Sequence, residues 1–373
     1  MKKSQVVVIG GGLAGLTAAI HLSHNGIDVT LIEKEAYPHH KVCGEYLSKE
    51  ILPYLQSLNI SLIELKPVEI DHLVYSTSNG NPVTAKLGLG GIGVSRFALD
   101  HFLYKKAISN GVKIFEETVT EISFNNEKFQ ISTGNEQYES DFVLGAFGKR
   151  SILDKKLKRD FIEKRSGWLA VKAHYSHDSY PSDTVSLHNF HGGYCGLSKT
   201  ETGAINVCYL ATFESFKKHK DPDDFKTEVL CKNPYLNSFF EKAIPLFDKD
   251  LTIAQVSFDK KSLIQDHVMM LGDAAGLIHP LCGNGMAMAI HSAKIASEAV
   301  LKFFESGKKL RKETEQLYVN TWKRNFKTRI RTGRVLQRIL LNPTLAKYSQ
   351  NTVKTFPALL PVIIKNTHGR PVL

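Results

Sequence analysis

Cysteine and tryptophan are scarce in this chain of 373 residues, which has five cysteines and two tryptophans. The cysteine number is odd and no pair has C-x-x-C spacing, so the sequence predicts neither a disulfide framework nor a zinc site. The pairs His39-His40 and His188-x-x-His191 lack further ligands at metal spacing, and we expect no metal. This cysteine usage fits a reducing cytoplasm.

Two other signals are missing. The chain has no G-x-S-x-G sequence, which disfavours a hydrolase with a nucleophile elbow. Its start, MKKSQVVVIGGGLAGLTAAI, has lysines before an apolar run, but glycines break that run and no small-residue cleavage pattern follows. We therefore expect a buried strand and turn there rather than a signal peptide.

With 42% hydrophobic residues, the chain can bury a large core, and we expect two domains.

The clearest structural unit occupies residues 5–33. A β-branched run ends in Gly10-x-Gly12-x-x-Gly15, an apolar helical pattern follows, Asn25-Gly26 stops it, and a second β-branched run ends at Glu33. This order predicts a parallel βαβ unit. The glycines allow a tight turn, close approach to a pyrophosphate and close helix packing, while the acid receives ribose hydroxyls. The unit predicts a dinucleotide site with its phosphates at the helix N-terminus.

A second match to the same spacing, Gly88-x-Gly90-x-x-Gly93, follows the polar, turn-rich segment STSNGNPVTAK. No buried strand is predicted before it, so we do not expect a second dinucleotide site. Further along, the pattern predicts a helix over about 96–109, antiparallel strands over about 165–260, and helices beyond 286 that are interrupted by Pro343, Pro357 and Pro361.

The segment GDAAGLIHPLCGNGMAMAI (272–290) enters the last of these regions with an unusual number of glycines. Each glycine costs ordering entropy, so the backbone is expected to approach something closely there. An aspartate, Asp273, lies among them.

Four separated segments together resemble the FAD-binding segments of the geranylgeranyl reductase family, over about residues 4–300. They are VVIGGGLAGLTAAIHLSHNGIDVTLIEK, KVCGEYLS (41–48), SRFALDHFL (95–103) and the glycine-rich segment above. That family belongs to a wider superfamily of single-component aromatic hydroxylases and flavin-dependent halogenases. The halogenase signature Trp-x-Trp-x-Ile-Pro is absent. The resemblance implies FAD as cofactor and NADH or NADPH as a transient reductant.

The same resemblance implies the cofactor contacts. Asp273 would take a ribityl hydroxyl, the backbone at 283–285 would meet the pyrimidine edge of the flavin ring, and Arg96 would contact the cofactor unless it is a surface arginine. The family's Ala-Asp-Gly turn is Ala146-Phe147-Gly148 here, without the carboxylate. The full predicted set is Gly10, Gly12, Leu13, Ala14, Gly15, Glu33, Lys34, Cys43, Gly44, Arg96, Val119, Gly148, Gly272, Asp273, Pro280, Gly283, Asn284 and Gly285.

Cys43 and Tyr194 are the candidate catalytic residues. By resemblance Cys43 lies beside the flavin, where a thiol supplies a proton or lines the pocket; the alternative is a small buried hydrophobe. Glu45 is an acid or a helix cap. The family's tyrosine, tryptophan and Phe-Pro pattern survives only as Tyr194, with Gly196 in the tryptophan's place. We expect Tyr194 and Gly196 to line a widened substrate pocket.

These patterns predict an α/β fold: a Rossmann-like FAD-binding domain with a parallel sheet, an antiparallel-sheet substrate domain and a helical C-terminal tail. We assign residues 1–72, 92–160 and 262–300 to the first domain, 73–91 and 161–261 to the second, and 301–373 to a basic helical region.

Positive charge is concentrated in that last region. Residues 302–373 hold 16 Lys and Arg against three Glu, whereas the net charge of the whole chain is +11. The apolar segment TFPALLPVIIK (355–365) is too short to span a bilayer. Two interpretations stay open: peripheral contact with an anionic membrane at its cytoplasmic face, or a helix packed on the body with a solvated cationic face. Nucleic acid is not the expected partner.

Three functions follow from the sequence. The leading hypothesis is hydride transfer to a carbon–carbon double bond of a hydrophobic small molecule. The second is a monooxygenase acting on an aromatic or lipid substrate, which the missing bulk at Gly196 favours. The third is a flavin-bearing carrier that does not turn over.

Overall fold

The computed structural model of the chain describes residues 1–77, 82–307, 311–356 and 359–373, and Pro357 lies outside them. Its strands are β1 (Lys2–Ile9), β2 (Val29–Glu33), β3 (Tyr46–Ser48), β4 (Val68–Ser76), β5 (Val83–Gly93), β6 (Lys113–Glu116), β7 (Val119–Asn125), β8 (Lys128–Thr133), β9 (Gln137–Gly145), β10 (Trp168–Ser176), β11 (Thr184–Phe190), β12 (Gly193–Lys199), β13 (Ile205–Thr212), β14 (Ile244–Pro245), β15 (Leu251–Ala254), β16 (Ile264–Gln265) and β17 (Val268–Met270). Its α-helices are α1 (Leu13–His24), α2 (Leu52–Ser57), α3 (Arg96–Ser109), α4 (Ile152–Lys156), α5 (Phe213–Phe216), α6 (Pro222–Glu228), α7 (Pro234–Phe240), α8 (Gly285–Glu305), α9 (Arg311–Leu341), α10 (Pro343–Thr355) and α11 (Leu359–Thr367).

The first sheet has the order β16-β17-β9-β1-β2-β6, with β7 and β8 added beside β9. Strands β17, β9, β1, β2 and β6 run parallel. Val6, Val7 and Val8 in β1 are fully buried, as expected for a parallel strand covered on both faces. The predicted βαβ unit is confirmed, because β1 and β2 pair in parallel on either side of α1 in the sequence.

The second sheet has the order β14-β10-β13-β12-β11-β4-β5-β3, with β15 beside β10. Most of its pairs are antiparallel, which confirms the strands predicted over about 165–260. The second glycine motif lies inside β5, so it forms strand rather than a phosphate loop. The domain assignment stays a prediction, but its boundaries at 72/73 and 91/92 fall inside β4 and β5, because these strands pair with each other on both sides of those positions.

The C-terminal region is helical in its described residues, as predicted, and it packs on the body. Tyr318, Trp322 and Phe326 of α9 belong to the main hydrophobic core, and the Tyr318 hydroxyl donates to the Met270 carbonyl. The predicted interruption at Pro343 is confirmed, because α9 ends at Leu341 and Pro343 begins α10, where a missing N–H costs nothing. The one predicted at Pro361 is wrong, because position 361 lies within the first turn of α11.

A buried arginine joins three segments of the parallel-sheet half. The Arg159 side chain is 1% exposed and its Nη1 donates to Asp154 at 2.7 Å, with Asp154 fully buried. Its Nη2 donates to the carbonyls of Ser262 and Ala274, both at 2.8 Å. Arg159 therefore fixes the chain just after β17 relative to α4.

We expect Arg159→Leu to lower the free energy of unfolding by about 3–5 kcal/mol, because it leaves the Asp154 carboxylate buried without its counter-charge. Urea denaturation followed by circular dichroism measures this loss. The matched control is Arg165→Leu at an exposed position, which should change stability by less than about 0.5 kcal/mol. Equal losses in the two variants would contradict the prediction.

Candidate active site

The carboxyl ends of β1, β9 and β17 meet at one edge of the parallel sheet, where open α/β sheets bind ligands. Gly10 follows β1 with φ +103°, a conformation that glycine adopts without strain. A Cβ on Gly10 would overlap the Ala146 carbonyl that follows β9. A Cβ on Gly15 would overlap the Gly10 carbonyl. Both contacts require glycine for close packing of α1 on the sheet.

Gly12 differs from these two glycines because it faces open space. It is the N-cap of α1, and within the described chain no side chain caps this helix. The nearest atom to a Cβ on Gly12 would be Arg96 Nη2, at 3.6 Å. Leu13, Ala14 and Gly15 form the first turn behind it and are buried. An uncapped helix N-terminus next to a cationic side chain suits an anionic phosphate.

Glu33 ends β2 at the same edge of the sheet. Its carboxylate accepts the N–H groups of Gly11 at 2.5 Å, Lys34 at 2.9 Å and Glu35 at 3.2 Å. The Lys34 side chain is exposed and pairs with Glu35. Sequence reasoning missed Tyr37, whose hydroxyl donates to the Gly11 carbonyl at 2.5 Å. Burial, reinforced by Glu33, raises the pKa of Tyr37, so it remains a neutral donor that holds the glycine turn.

The late glycine segment packs directly on the early one. A Cβ on Gly272 would lie 3.0 Å from the Ala14 side chain, and the Gly272 N–H donates to Ser292 Oγ at 2.8 Å. Asp273 follows in a short 3-10 turn, with its side chain partly exposed. Lys261 Nζ donates to the Asp273 carbonyl at 2.8 Å, and burial lowers the pKa of Lys261 to about 8. Ala14 and Gly272, which are far apart in the sequence, are thus in contact.

The second part of this segment forms a left-handed turn into α8. Gly283 has φ +59°, and its Cβ would lie 3.4 Å from the Tyr46 ring. Asn284 is fully buried and donates to Glu50 at 3.3 Å and to the Thr367 carbonyl at 3.0 Å. Its Oδ1 has no hydrogen-bond partner among the described residues. Pro280 is exposed, and Gly285 begins α8.

Cys43 and Gly44 belong to a loop that is attached to the second sheet. Asn206 donates to the Cys43 carbonyl and Ser198 to the Gly44 carbonyl, both at 3.1 Å. Cys43 is half-buried, and its interaction with Arg96 is one of the causes that raise the pKa of that arginine.

Arg96 is not a surface arginine. Its side chain is 13% exposed, and it donates through Nε and Nη2 to the two oxygens of buried Asp100, at 2.7 Å each. Burial alone lowers the pKa of Arg96, but Asp100 and then Cys43 outweigh it and leave the pKa raised. Arg96 is therefore a permanent cation placed between Gly12 and Cys43.

Glu45 is the centre of a buried charged cluster. Its carboxylate accepts from Lys172 Nζ at 2.5 Å, His174 Nε2 at 2.7 Å and the Arg96 N–H at 2.7 Å. Burial by itself raises the pKa of Glu45, but hydrogen bonds and charge from His174 and Lys172 bring it below its usual value. Glu45 thus accepts the first N–H of α3, while Ser95 is the N-cap of that helix. Lys172 and His174 carried no motif and were missed.

His40 lies beside this cluster, with its ring centroid 5.3 Å from that of His174. Burial, followed by the charges of Lys172 and His174, lowers the pKa of His40 to about 4. The ligating atoms of His40, Glu45 and His174 lie within 4.8 Å of one another. The Lys172 ammonium already neutralises the same carboxylate, so this arrangement is better suited to an internal ion cluster than to a metal cation.

Tyr194 and Gly196 lie on the same face of β12, since their side-chain positions alternate with Cys195. Tyr194 is 4% exposed and its ring centroid lies 5.6 Å from that of His279. A Cβ on Gly196 would lie 3.5 Å from the Leu187 side chain, the nearest neighbouring atom. A methyl group there would be in ordinary contact with its neighbours, and neither Tyr194 nor Gly196 lines the apolar cavity described below, so the widened pocket at Gly196 stays a prediction. Val119 is buried at the start of β7, and Gly148 follows β9 with φ +82°.

An apolar cavity of about 220 Å³ lies between the second sheet and the C-terminal helices. Its inner end is formed by Tyr46, Cys282 and Gly283. The remaining lining residues are Leu73, Tyr75, Val83, Leu87, Val185, Leu187, Leu281, Leu336, Ile339, Leu340, Ser349, Gln350, Val353, Ile363, Ile364, Thr367 and His368. The cavity therefore extends from the Gly283 turn to the helices that end the chain.

The geometry fits a dinucleotide with a flavin ring. Gly12 leaves open space at an uncapped helix N-terminus, Glu33 lies where ribose hydroxyls are bound, and Gly272 is in contact with Ala14 of the same helix. Buried polar atoms without described partners, Asn284 Oδ1 and His279 Nε2, lie along the late segment. Gly12, Glu33 and Arg96 would hold the adenosine diphosphate part, and the turn at 283–285 would meet the ring.

Residues 3–307 match the FAD binding domain family, and the chain belongs to that family. It is 28% identical over 341 residues to the digeranylgeranylglycerophospholipid reductase of Methanosarcina acetivorans, covering 85% of this chain and 80% of the reductase. It is 23% identical over 336 residues to the tryptophan 2-halogenase of Chondromyces crocatus, covering 80% of this chain but only 61% of the halogenase.

A solved structure has the same fold. The geranylgeranyl bacteriochlorophyll reductase-like protein of Thermoplasma acidophilum superimposes with a TM-score of 0.76 at 22% identity, covering 93% of this chain and 90% of that protein. The family and its relatives identify this chain as an FAD-dependent oxidoreductase. The chain is therefore an enzyme, and the flavin-bearing carrier without turnover, which the sequence left open, is no longer proposed.

We expect Gly12→Ala to reduce FAD affinity at least about 10-fold without lowering the stability of the protein freed of FAD. The added methyl group meets no protein atom within 3.5 Å, but it occupies the space through which a pyrophosphate reaches the helix N-terminus. Flavin fluorescence titration of the FAD-free protein measures the affinity.

The control for that experiment is Gly134→Ala, where a Cβ has open space and the backbone angle is ordinary. It should bind FAD like the parent protein. Parental FAD affinity in Gly12→Ala would show that the phosphates do not lie at this helix.

Proposed function

We propose that this enzyme saturates carbon–carbon double bonds of a polyprenyl or similarly apolar lipid, in the cytoplasm, with NADH or NADPH as the transient reductant. The observation that carries the proposal is the apolar cavity that begins at Gly283 and Tyr46, the turn assigned to the flavin ring. Bound FAD supplies the hydride in such a reaction. The digeranylgeranylglycerophospholipid reductase from Methanosarcina acetivorans, whose name indicates a lipid substrate, is similar to this chain over most of its length.

The cavity lining explains why an apolar chain suits this site. Sheet residues such as Leu73, Val185 and Leu187 face helix residues such as Ile339 and Ile364 across it. Burying the methylene and methyl groups of a lipid there is favourable by about 25 cal/mol per Å² of apolar area. A polar substrate would have to leave its hydrogen bonds to water without replacement.

Cys43 is the group that we assign to proton transfer. Saturation of a double bond adds a hydride to one carbon and a proton to the other, and the Cys43 thiol lies in the loop next to the helix of Arg96. The positive charge of Arg96, which interacts with Cys43, would stabilise the negative charge left when Cys43 Sγ gives up its proton. Asn206 and Ser198 fix the loop through its carbonyls.

A monooxygenase is the second candidate, and the missing side chain at Gly196 favours it, because a ring wider than a prenyl chain can approach a strand that has no side chain at that position. In this case the substrate would gain an oxygen atom from dioxygen. A tryptophan 2-halogenase is among the relatives, but the chain lacks the Trp-x-Trp-x-Ile-Pro sequence, and we do not propose halogenation.

One assay separates the two candidates. We expect the FAD-loaded enzyme, kept anaerobic with dithionite or NADPH and a geranylgeranyl lipid, to give product heavier by two hydrogen atoms per double bond in mass spectrometry. Product that forms only when oxygen is admitted, with a mass increase of one oxygen atom, would replace the reductase by the monooxygenase.

We expect Cys43→Ser to slow double-bond saturation at least about 100-fold, because a positioned general acid contributes about that much or more. Reduction of the bound FAD by dithionite should be unchanged, since it needs no proton from Cys43. Cys231→Ser, at a partly buried cysteine outside the loop, is the control and should retain parental rates. Near-parental saturation by Cys43→Ser would remove the thiol from the mechanism.

A further inference from the structure

Helices α10 and α11 expose an unusual number of large apolar side chains, which we call the outer face. The exposed fractions are 48% for Leu345, 67% for Tyr348, 60% for Phe356, 41% for Leu359 and 55% for Val362. Single exposed apolar residues are normal on a protein surface, but a group of five on two consecutive helices and the turn between them marks an interaction site.

The same two helices line the cavity with different residues. Gln350 and Val353 of α10 and Ile363 and Ile364 of α11 face it. Residues three or four apart share a helix face, so Leu345 lies beside the lining residue Ser349 and Leu359 beside the lining residue Ile363. Tyr348 and Val362 are three residues from Leu345 and Leu359 on the other side, and they continue each stripe away from the cavity. Each helix therefore lines the cavity along one edge and exposes apolar side chains along another.

Hydrogen bonds fix this orientation. Thr77 Oγ1 donates to Gln350 at 3.0 Å across the cavity wall. Asn284 donates to the Thr367 carbonyl at 3.0 Å, and the Gly369 N–H donates to the Glu50 carboxylate. The outer face thus points away from the body and is not covered by another described part of the chain.

The part of the chain that forms most of α9 and all of α10 and α11 carries charge of one sign. No Asp or Glu follows Glu315 in the sequence, whereas 11 Lys and Arg do. Lys354 and Lys365 are exposed on α10 and α11, and Arg331 and Arg338 are exposed on α9. A second copy of the chain would bring two such cationic surfaces together, which is unfavourable. An anionic lipid surface offers complementary charge and an apolar layer for the exposed side chains.

We propose that the outer face docks on the surface of an anionic bilayer, with Phe356, Leu359 and Val362 in the interfacial layer and the lysines at the headgroups. None of the described helices is long and apolar enough to cross a bilayer, so the contact is peripheral. Docking brings the wall of the cavity formed by α10 and α11 against the lipid, from which an apolar substrate can enter. Binding to the membrane does not depend on which reaction is catalysed.

The test is cosedimentation of the full-length FAD-loaded protein with vesicles of phosphatidylcholine alone or mixed in equal parts with phosphatidylglycerol. We expect at least about 10-fold tighter binding to the anionic vesicles, weakening as salt rises toward about 0.5 M. The double variant Phe356→Ser/Val362→Ser should bind anionic vesicles at least about 10-fold more weakly. Lys354→Glu/Lys365→Glu should lose most of the preference for anionic vesicles.

The matched control is Ile63→Ser/Phe213→Ser, which removes two side chains that are 78% and 54% exposed elsewhere on the surface. It should bind vesicles like the parent, and all variants should retain FAD and parental thermal stability. Equal binding of the parent to both vesicle types, no binding at all, or equal losses in the control would overturn the proposal. A dimer in sedimentation equilibrium that dissociates in Phe356→Ser/Val362→Ser would assign the outer face to a second copy and overturn it as well.

Discussion

The structure depends on one close approach of backbone to backbone at the carboxyl edge of the parallel sheet. The first turn of α1 can lie on β1 only because Gly15 leaves room for the Gly10 carbonyl, and Gly272 can follow β17 only because it fits against Ala14. Strand β9 lies between β1 and β17, so all three strand ends open on the same crevice. The entropic cost of these glycines is offset by a site in which backbone groups, rather than long side chains, reach the ligand.

A second constraint holds the loop of Cys43 over that crevice. Glu45 adopts φ +52°, which is unfavourable for a residue with a side chain, and three donors fix its carboxylate. Lys172 also donates to the Lys41 carbonyl at 3.2 Å. Burying these charges is costly, so the cluster stabilises the fold little. Its effect is instead to hold the loop in place. It connects the loop to β10 and to the start of α3, and thereby fixes Cys43 relative to Arg96.

The sequence predicted the parts of this arrangement that are local. The βαβ unit, helix α3 and the antiparallel strands follow from periodicity and from turn residues within short windows. The Glu45 cluster could not be predicted in this way, because Lys172 and His174 are alternate residues of a strand and nothing in β10 indicates a partner far away in the sequence. The role of Tyr37 could not be predicted either, because no sequence pattern around it indicates a hydrogen bond to the Gly11 carbonyl. The composition of the C-terminal region indicated basic helices but not the burial of Tyr318 and Trp322, which depends on a surface that only the folded body provides.

Asn284 shows how the two ends of the site are coupled. Its backbone belongs to the turn assigned to the flavin ring, while its side chain binds Glu50 and the Thr367 carbonyl at the end of α11. Glu50 in turn accepts from Arg329 of α9 at 2.8 Å and from the Gly369 N–H. A movement of α11 that widened the cavity would break bonds made by the same buried amide and carboxylate, and burial makes such unpaired groups costly. A change in the width of the cavity at α11 and the geometry of the turn at 283–285 are therefore energetically linked, because both depend on this one network of buried hydrogen bonds.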